Sequence, residues 1–224
     1  MAIPWPVLAS VLSELGPLGA AAARPAQTTG GRRWVVIWCG LYVAQNAVSI
    51  PLALTHHNNH WTTYVFVPLQ GAAILWALSL WQLSQLARLT VRASIPGFVL
   101  AWLLLVLLVE DTNNFSSIAE PVYSLLSLSA ALYTLVTRSA DATESLLRED
   151  WFWICAGLSL HFGALIFLTP LGAALVRTNP EIILRALNVR AVVNVAAFVL
   201  ITCGLLCPRP SLRSGRSFSP ASSA

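Results

Sequence analysis

Between Trp34 and Cys207 the chain passes again and again through apolar stretches, each long enough at roughly 17–25 residues to cross a bilayer as a helix. That recurrence constrains the fold more than any motif does. Only 10% of the 224 residues are charged and 57% are hydrophobic, whereas a soluble domain carries about one charged residue in four. A water-facing surface cannot be covered by so few charges. The apolar runs also lack the period-two alternation of an outer-membrane barrel. The expected fold is therefore all-α and integral to the membrane.

Six spans are expected, near residues 34–54, 61–86, 95–109, 121–137, 151–176 and 186–207. Pro96 and Pro121 are expected in first helical turns, where a missing N–H does no harm. Residues 1–33 read as an N-terminal cytoplasmic or interfacial segment. Within it, residues 5–23 form either an interfacial helix or a seventh span. Glu14 and the lack of a basic start argue against a cleaved signal peptide. Residues 208–224 are rich in Ser, Pro and Arg and read as a disordered cytoplasmic tail.

Arginine sets the orientation. The chain has no lysine, which excludes a retinal-type Schiff base and other lysine-based covalent catalysis. With six spans, Arg24, Arg32, Arg33, Arg88, Arg92, Arg138, Arg148, Arg209, Arg213 and Arg216 share one side. Arg177, Arg185 and Arg190 are left for the other. The positive-inside rule then places both termini in the cytoplasm of a cell whose inner, or plasma, membrane holds the chain. The net charge of +4 follows from these helix-end arginines, so nucleic acid is not an expected partner.

Polar chemistry collects on the outer side. The heptapeptide THHNNHW, residues 55–61, carries His56, His57 and His60. Three imidazoles with a carboxylate could ligate a divalent metal such as zinc, but the spacing matches no metal signature, and a polar interfacial loop or a pH-responsive one explains it too. The next outer connection brings Glu110, Asp111 and Glu120, and the third brings Glu181 and Arg185. Arg190 and Asn194 stand four apart, on one face of the last span. Groups so polar should face the bundle rather than lipid, with Glu110, Asp111 or Glu120 as natural partners for Arg190. His161, midway along the fifth span, is a functional candidate on the same ground. The ligand-pocket candidates are thus His56, His60, Glu110, Asp111, Glu120, His161, Arg185, Arg190 and Asn194. No catalytic residue is assigned. Cys39, Cys155, Cys203 and Cys207 lie in apolar runs and read as structural thiols, and Gln45, Asn46 and Gln70 as hydrogen-bond partners between helices.

The stretch WFWICAGLSLHFGALIFLTPLGAAL and the following NVRAVVNVAAFVLITCGLLC resemble the last two helices of a loose group of small bacterial multi-helix membrane proteins. Some of these are similar to the membrane modules of sensor kinases. In that group an aromatic helix with a central polar residue precedes one bearing Asn in its outer half, the places of Trp151, Trp153, His161 and Asn194 here. The resemblance implies extracytoplasmic sensing, with output through a membrane or cytoplasmic protein partner. The functional expectation is a non-enzymatic sensor of a small ligand, ion or proton, or an accessory subunit of a membrane complex. A membrane-embedded metal hydrolase and a small transporter or channel are the alternatives.

Overall fold

The structure is a computed structural model that describes residues 5–110, 116, 118–142, 145–175 and 180–208. Asp111, one of the expected pocket residues, lies outside them. Among the described residues there are helices and no strands: α1 (Trp5–Ser13), α2 (Leu15–Ala23), α3 (Gly31–Leu54), α4 (Trp61–Leu80), α5 (Gln85–Leu108), α6 (Ala119–Ala140), α7 (Asp150–Leu175) and α8 (Pro180–Leu206). Taken together, α1 and α2 form one nineteen-residue apolar segment, Trp5–Ala23, so among the described residues seven helices rather than six are long and apolar enough to cross a membrane. The first of them is broken at Glu14, ahead of Pro17. Pro17 has no N–H and its ring crowds the carbonyl of Ser13, four residues back. The Ser13 hydroxyl turns to the Ser10 carbonyl at 2.6 Å, and Glu14 is left at the joint in helical conformation.

The third expected span begins earlier than the sequence suggested, at Gln85 instead of Ile95. Ser84, in extended conformation, accepts from the Ala87 N–H at 3.1 Å and caps the helix there. Arg88 and Arg92 therefore ride on the first turns of α5, and Pro96 sits inside the helix. The Arg92 guanidinium lies over the Trp76 ring at 4.6 Å, which holds this polar start of α5 against α4. Pro121 is in the first turn of α6, as expected.

Packing closes a ring. Going round it, α3 lies against α4, α4 against α6, α6 against α7 and α7 against α8, while α1 and α2 fill the gap between α8 and α3. Helix α5 stands outside the ring, against α4 and the edge of α6. It turns Leu86, Leu100, Leu107 and Leu108 outward. Lipid is as apolar as leucine, so close backbone approach and internal hydrogen bonds hold such helices together more than burial does. At Gly157 an added Cβ would come within 2.6 Å of the Ala197 carbonyl, and at Gly204 within 2.8 Å of the Asp150 carbonyl. Helices α7 and α8 meet at these two glycines.

One end of the ring is locked by arginine. Arg32 is buried, donates from Nε to Asp150 Oδ2 at 2.5 Å and from Nη2 to the Cys207 carbonyl at 2.9 Å. Arg24 donates to the Leu206 carbonyl. Two cations thus sit where the carbonyls of α8 run out of helical partners, and Asp150 sits in the first turn of α7. Each charge matches the local helix dipole.

Candidate functional site

The polar interior gathers around Asn194, on the face of α8 turned toward α1, α3 and α7. Its amide nitrogen donates to Ser10 Oγ at 2.8 Å and to Glu14 Oε1 at 3.1 Å. Its carbonyl oxygen faces His161 Nδ1 at 2.7 Å. The other oxygen of Glu14 accepts from Asn46 Nδ2 on α3 at 2.6 Å. Glu14, His161 and Asn194 are all buried. Counting from Leu206, Asn194 is roughly 18 Å up α8 at 1.5 Å per residue, about midway along the apolar segment Arg185–Leu206. Removing a carboxylate from water to such a place costs several kcal/mol. Two amide donors and a neighbouring guanidinium, that of Arg190, offset that cost.

The proton on His161 follows from the inventory. Both hydrogens of the Asn194 amide are used toward Ser10 and Glu14, so the atom facing His161 is an acceptor. A neutral His161 must therefore donate from Nδ1–H, and its Nε2 carries a bare lone pair. That Nε2 is buried without a hydrogen-bond partner. His161, Arg190 and Asn194 line a small cavity together with Ala164, Leu165 and Val193, with room for about one water.

Aromatic rings enclose the imidazole. Trp38 and Tyr42 of α3 meet it edge-to-face at 5.4 and 5.2 Å, and Phe198 of α8 does so at 5.8 Å. Trp38 stacks on Phe198 at 5.7 Å and donates from Nε1 to the Tyr123 hydroxyl at 2.9 Å. Any change of charge or tautomer at His161 is felt first by these rings. Arg190, half-buried one turn above Asn194, interacts with the Tyr42 hydroxyl and with both Glu14 and Glu120. Of the partners expected for Arg190, Glu120 is near enough to feel its charge and Asp111 lies outside the described residues; Glu14 and Tyr42 are additional.

The remaining expected pocket residues stand apart from this cluster. Glu110 accepts from the N–H groups of Ile118 at 2.7 Å and Ala119 at 3.3 Å, so its carboxylate caps the start of α6. Arg185 is exposed on the outer part of α8. His56 takes a positive φ of 58° directly after α3. Its N–H bonds to the Ala53 carbonyl and that of His57 to the Leu52 carbonyl at 2.9 Å, which closes the helix in a Schellman motif. The His57 ring lies 3.1 Å from the Thr55 hydroxyl, and His60 precedes α4, where partial burial makes it less basic than an ordinary histidine. Among the described residues no three His, Cys, Asp or Glu side chains come together as a metal shell would need.

Gln45 and Gln70 do pair, with Gln70 Nε2 donating to Gln45 Oε1 at 2.7 Å, and they tie α3 to α4. Cys39 and Cys155 are buried free thiols. The member of this buried network that sequence reasoning missed is Glu14. A lone carboxylate inside an apolar run was the available signal. Comparison with protein-family models, with curated proteins and with solved structures finds no match for this chain.

Proposed function

We propose that the chain is a non-enzymatic multi-pass protein of a bacterial inner membrane. It senses a small ligand, ion or proton in a polar pocket inside its bundle and passes that state to a membrane or cytoplasmic partner. The observation that carries this reading is the buried Glu14–Asn194–His161 chain of hydrogen bonds, which ends beside a cavity at a ring nitrogen with an unused lone pair. Polar groups this deep are costly, and packing alone could be achieved more cheaply by leucine.

Orientation follows from seven crossings and the arginine bias. Arg24, Arg32 and Arg33 lie between the first and second spans, so the added span leaves the cytoplasmic side of the others as it was. The C-terminus stays in the cytoplasm and the N-terminus moves to the outside. The pocket is then reached from the outer half, past Arg190, and lies deeper than the outer loops.

The test uses Trp38, which touches His161. The full chain in lipid nanodiscs should give a saturable change in tryptophan emission when pH, a salt or a small solute is varied. Trp38→Phe and Asn194→Ala should each abolish it. Emission indifferent to all three variables would overturn the sensing reading.

A further inference from the structure

The hydrogen bonds around Asn194 have two solutions on one set of heavy-atom positions. In the first, Glu14 is ionised, the amide nitrogen of Asn194 faces it, and the amide oxygen accepts from His161 Nδ1–H. In the second, Glu14 carries a proton and must donate. Asn194 turns its amide over, and the two ends are nearly isosteric. Its oxygen now accepts from the Glu14 hydroxyl and, with a turn of the Ser10 hydroxyl, from Ser10 as well. Its nitrogen donates to His161 Nδ1, which can no longer hold a hydrogen. The imidazole proton moves to Nε2. Every bond of Asn194 survives between the same residues with its direction reversed, while Asn46 continues to donate to Glu14 Oε2.

Charge favours a cation as the ligand. Glu14 and Glu120 share the single guanidinium of Arg190. Around Glu14 the facing groups are Ser10 of its own segment, Cys39, Tyr42 and Asn46 of α3, and Arg190 and Asn194 of α8. His161 of α7 lies behind Asn194, and Glu120 of α6 beyond Arg190. With both ionised, two carboxylates stand against one guanidinium in the interior, and uptake of a cation relieves the excess negative charge. The cavity beside His161, Arg190 and Asn194 admits no ion larger than about the size of water.

We infer that the ligand of this pocket is a proton taken up at Glu14, and that Asn194 converts its arrival into a change of tautomer at His161. This rests on the sensing reading above and gives the ligand its identity. One proton is taken up from water in total and ends on the Glu14 carboxyl. The imidazole remains neutral, losing a hydrogen at Nδ1 and gaining one at Nε2 by exchange with water in the cavity. The visible result is at Nε2, which changes from an acceptor to a donor toward the cavity. Arg190, released from Glu14, is left to Glu120 and Tyr42.

Histidine-selective 15N spectroscopy of the full chain in lipid tests this, with the His161 resonances identified by their loss in His161→Gln. The expected result is an Nδ1–H tautomer at high pH and an Nε2–H tautomer at low pH. The exchange should share its midpoint with the appearance of a carboxylic-acid carbonyl stretch assigned to Glu14. Glu14→Gln should remove both the stretch and the exchange. A His161 tautomer that is the same at both ends of the series overturns the proposal, and the wild-type series alone decides this even if the variant does not fold. A saturable Trp38 response to a salt or solute at constant pH, with the tautomer unchanged, would keep the sensing reading and overturn only the proton. Silence in both measurements would overturn both.

Discussion

Asn194 and Glu14 lie 180 positions apart and meet at 3.1 Å, inside the membrane-spanning part of the bundle. The last helix thus holds the carboxylate that the first one supplies. Asn194→Leu removes the donor to Glu14 and the acceptor of His161 together. A buried polar group left without a partner costs about 1–3 kcal/mol. The variant should lose at least that much stability in SDS-driven unfolding from mixed micelles, whereas Leu187→Ala on the exposed face of the same helix should lose far less. Equal losses would mean that the network adds nothing to the fold.

Arg32 and Asp150 provide a second, independent test. Removing one partner of a buried pair strands the other charge and costs roughly 3–5 kcal/mol, while replacing both together is much milder. Arg32→Met should therefore be more damaging than the double variant Arg32→Met/Asp150→Asn. The Asp150 side chain is partly exposed, so stranded Asp150 is the milder single case. Unfolding midpoints of the two single variants and the double variant form the cycle that checks this.

The glycines of the α7–α8 contact should behave unlike other glycines in the bundle. Gly157→Ala puts a methyl against the Ala197 carbonyl, a backbone atom that cannot rotate away. The helices must separate, at about 1–3 kcal/mol. Gly40→Ala meets nothing within 4 Å and should be neutral or stabilising by up to about 1 kcal/mol, from helix propensity. Paired unfolding curves check this: a loss for Gly157→Ala and none for Gly40→Ala.

His56→Gly separates two views of the histidine loop. The left-handed backbone at His56 is the position that helix ends commonly give to glycine. The substitution should preserve the fold and raise stability by a few tenths of a kcal/mol to about 1. If these histidines instead ligate a metal, elemental analysis of the purified chain will find one, and His56→Gly will lose it. A metal retained by the wild type and lost by the variant would restore the ligand reading.

Seven crossings predict termini on opposite faces. A reporter active only outside the cytoplasm should signal when fused before Trp5 and stay silent when fused after Gly215. Silence at both ends would return the first segment to the interface and the count to six.

Much of the helical framework was legible in the sequence because hydrocarbon demands length and apolarity, and both can be counted. The arginines at Arg88 and Arg92 misled the boundary of α5. A helix can start in the headgroup region, where charge is tolerated, so charge does not mark its end. That Arg190, Asn194 and His161 turn inward was readable from the cost of polar groups against lipid, and for the α8 pair also from their four-residue spacing. What could not be read was their company. Ser10 and Glu14 reach Asn194 from the opposite end of the chain, and no local periodicity records a contact of that range. Glu14 was visible as an ionisable group in an apolar run, yet the run was short and interrupted by Pro17, and so it suggested a surface helix.

The ring is closed by its first and last members, and that sets an order on biogenesis. Helix α8 leaves the ribosome after α1–α7, so while those helices are being made Glu14 and Ser10 exist without Asn194. A chain cut short before α8 would present an unpartnered carboxylate to lipid or to the insertion machinery. Completion of the site therefore waits for α8, and a nascent chain that stalls before α8 carries a recognisable mark of being unfinished.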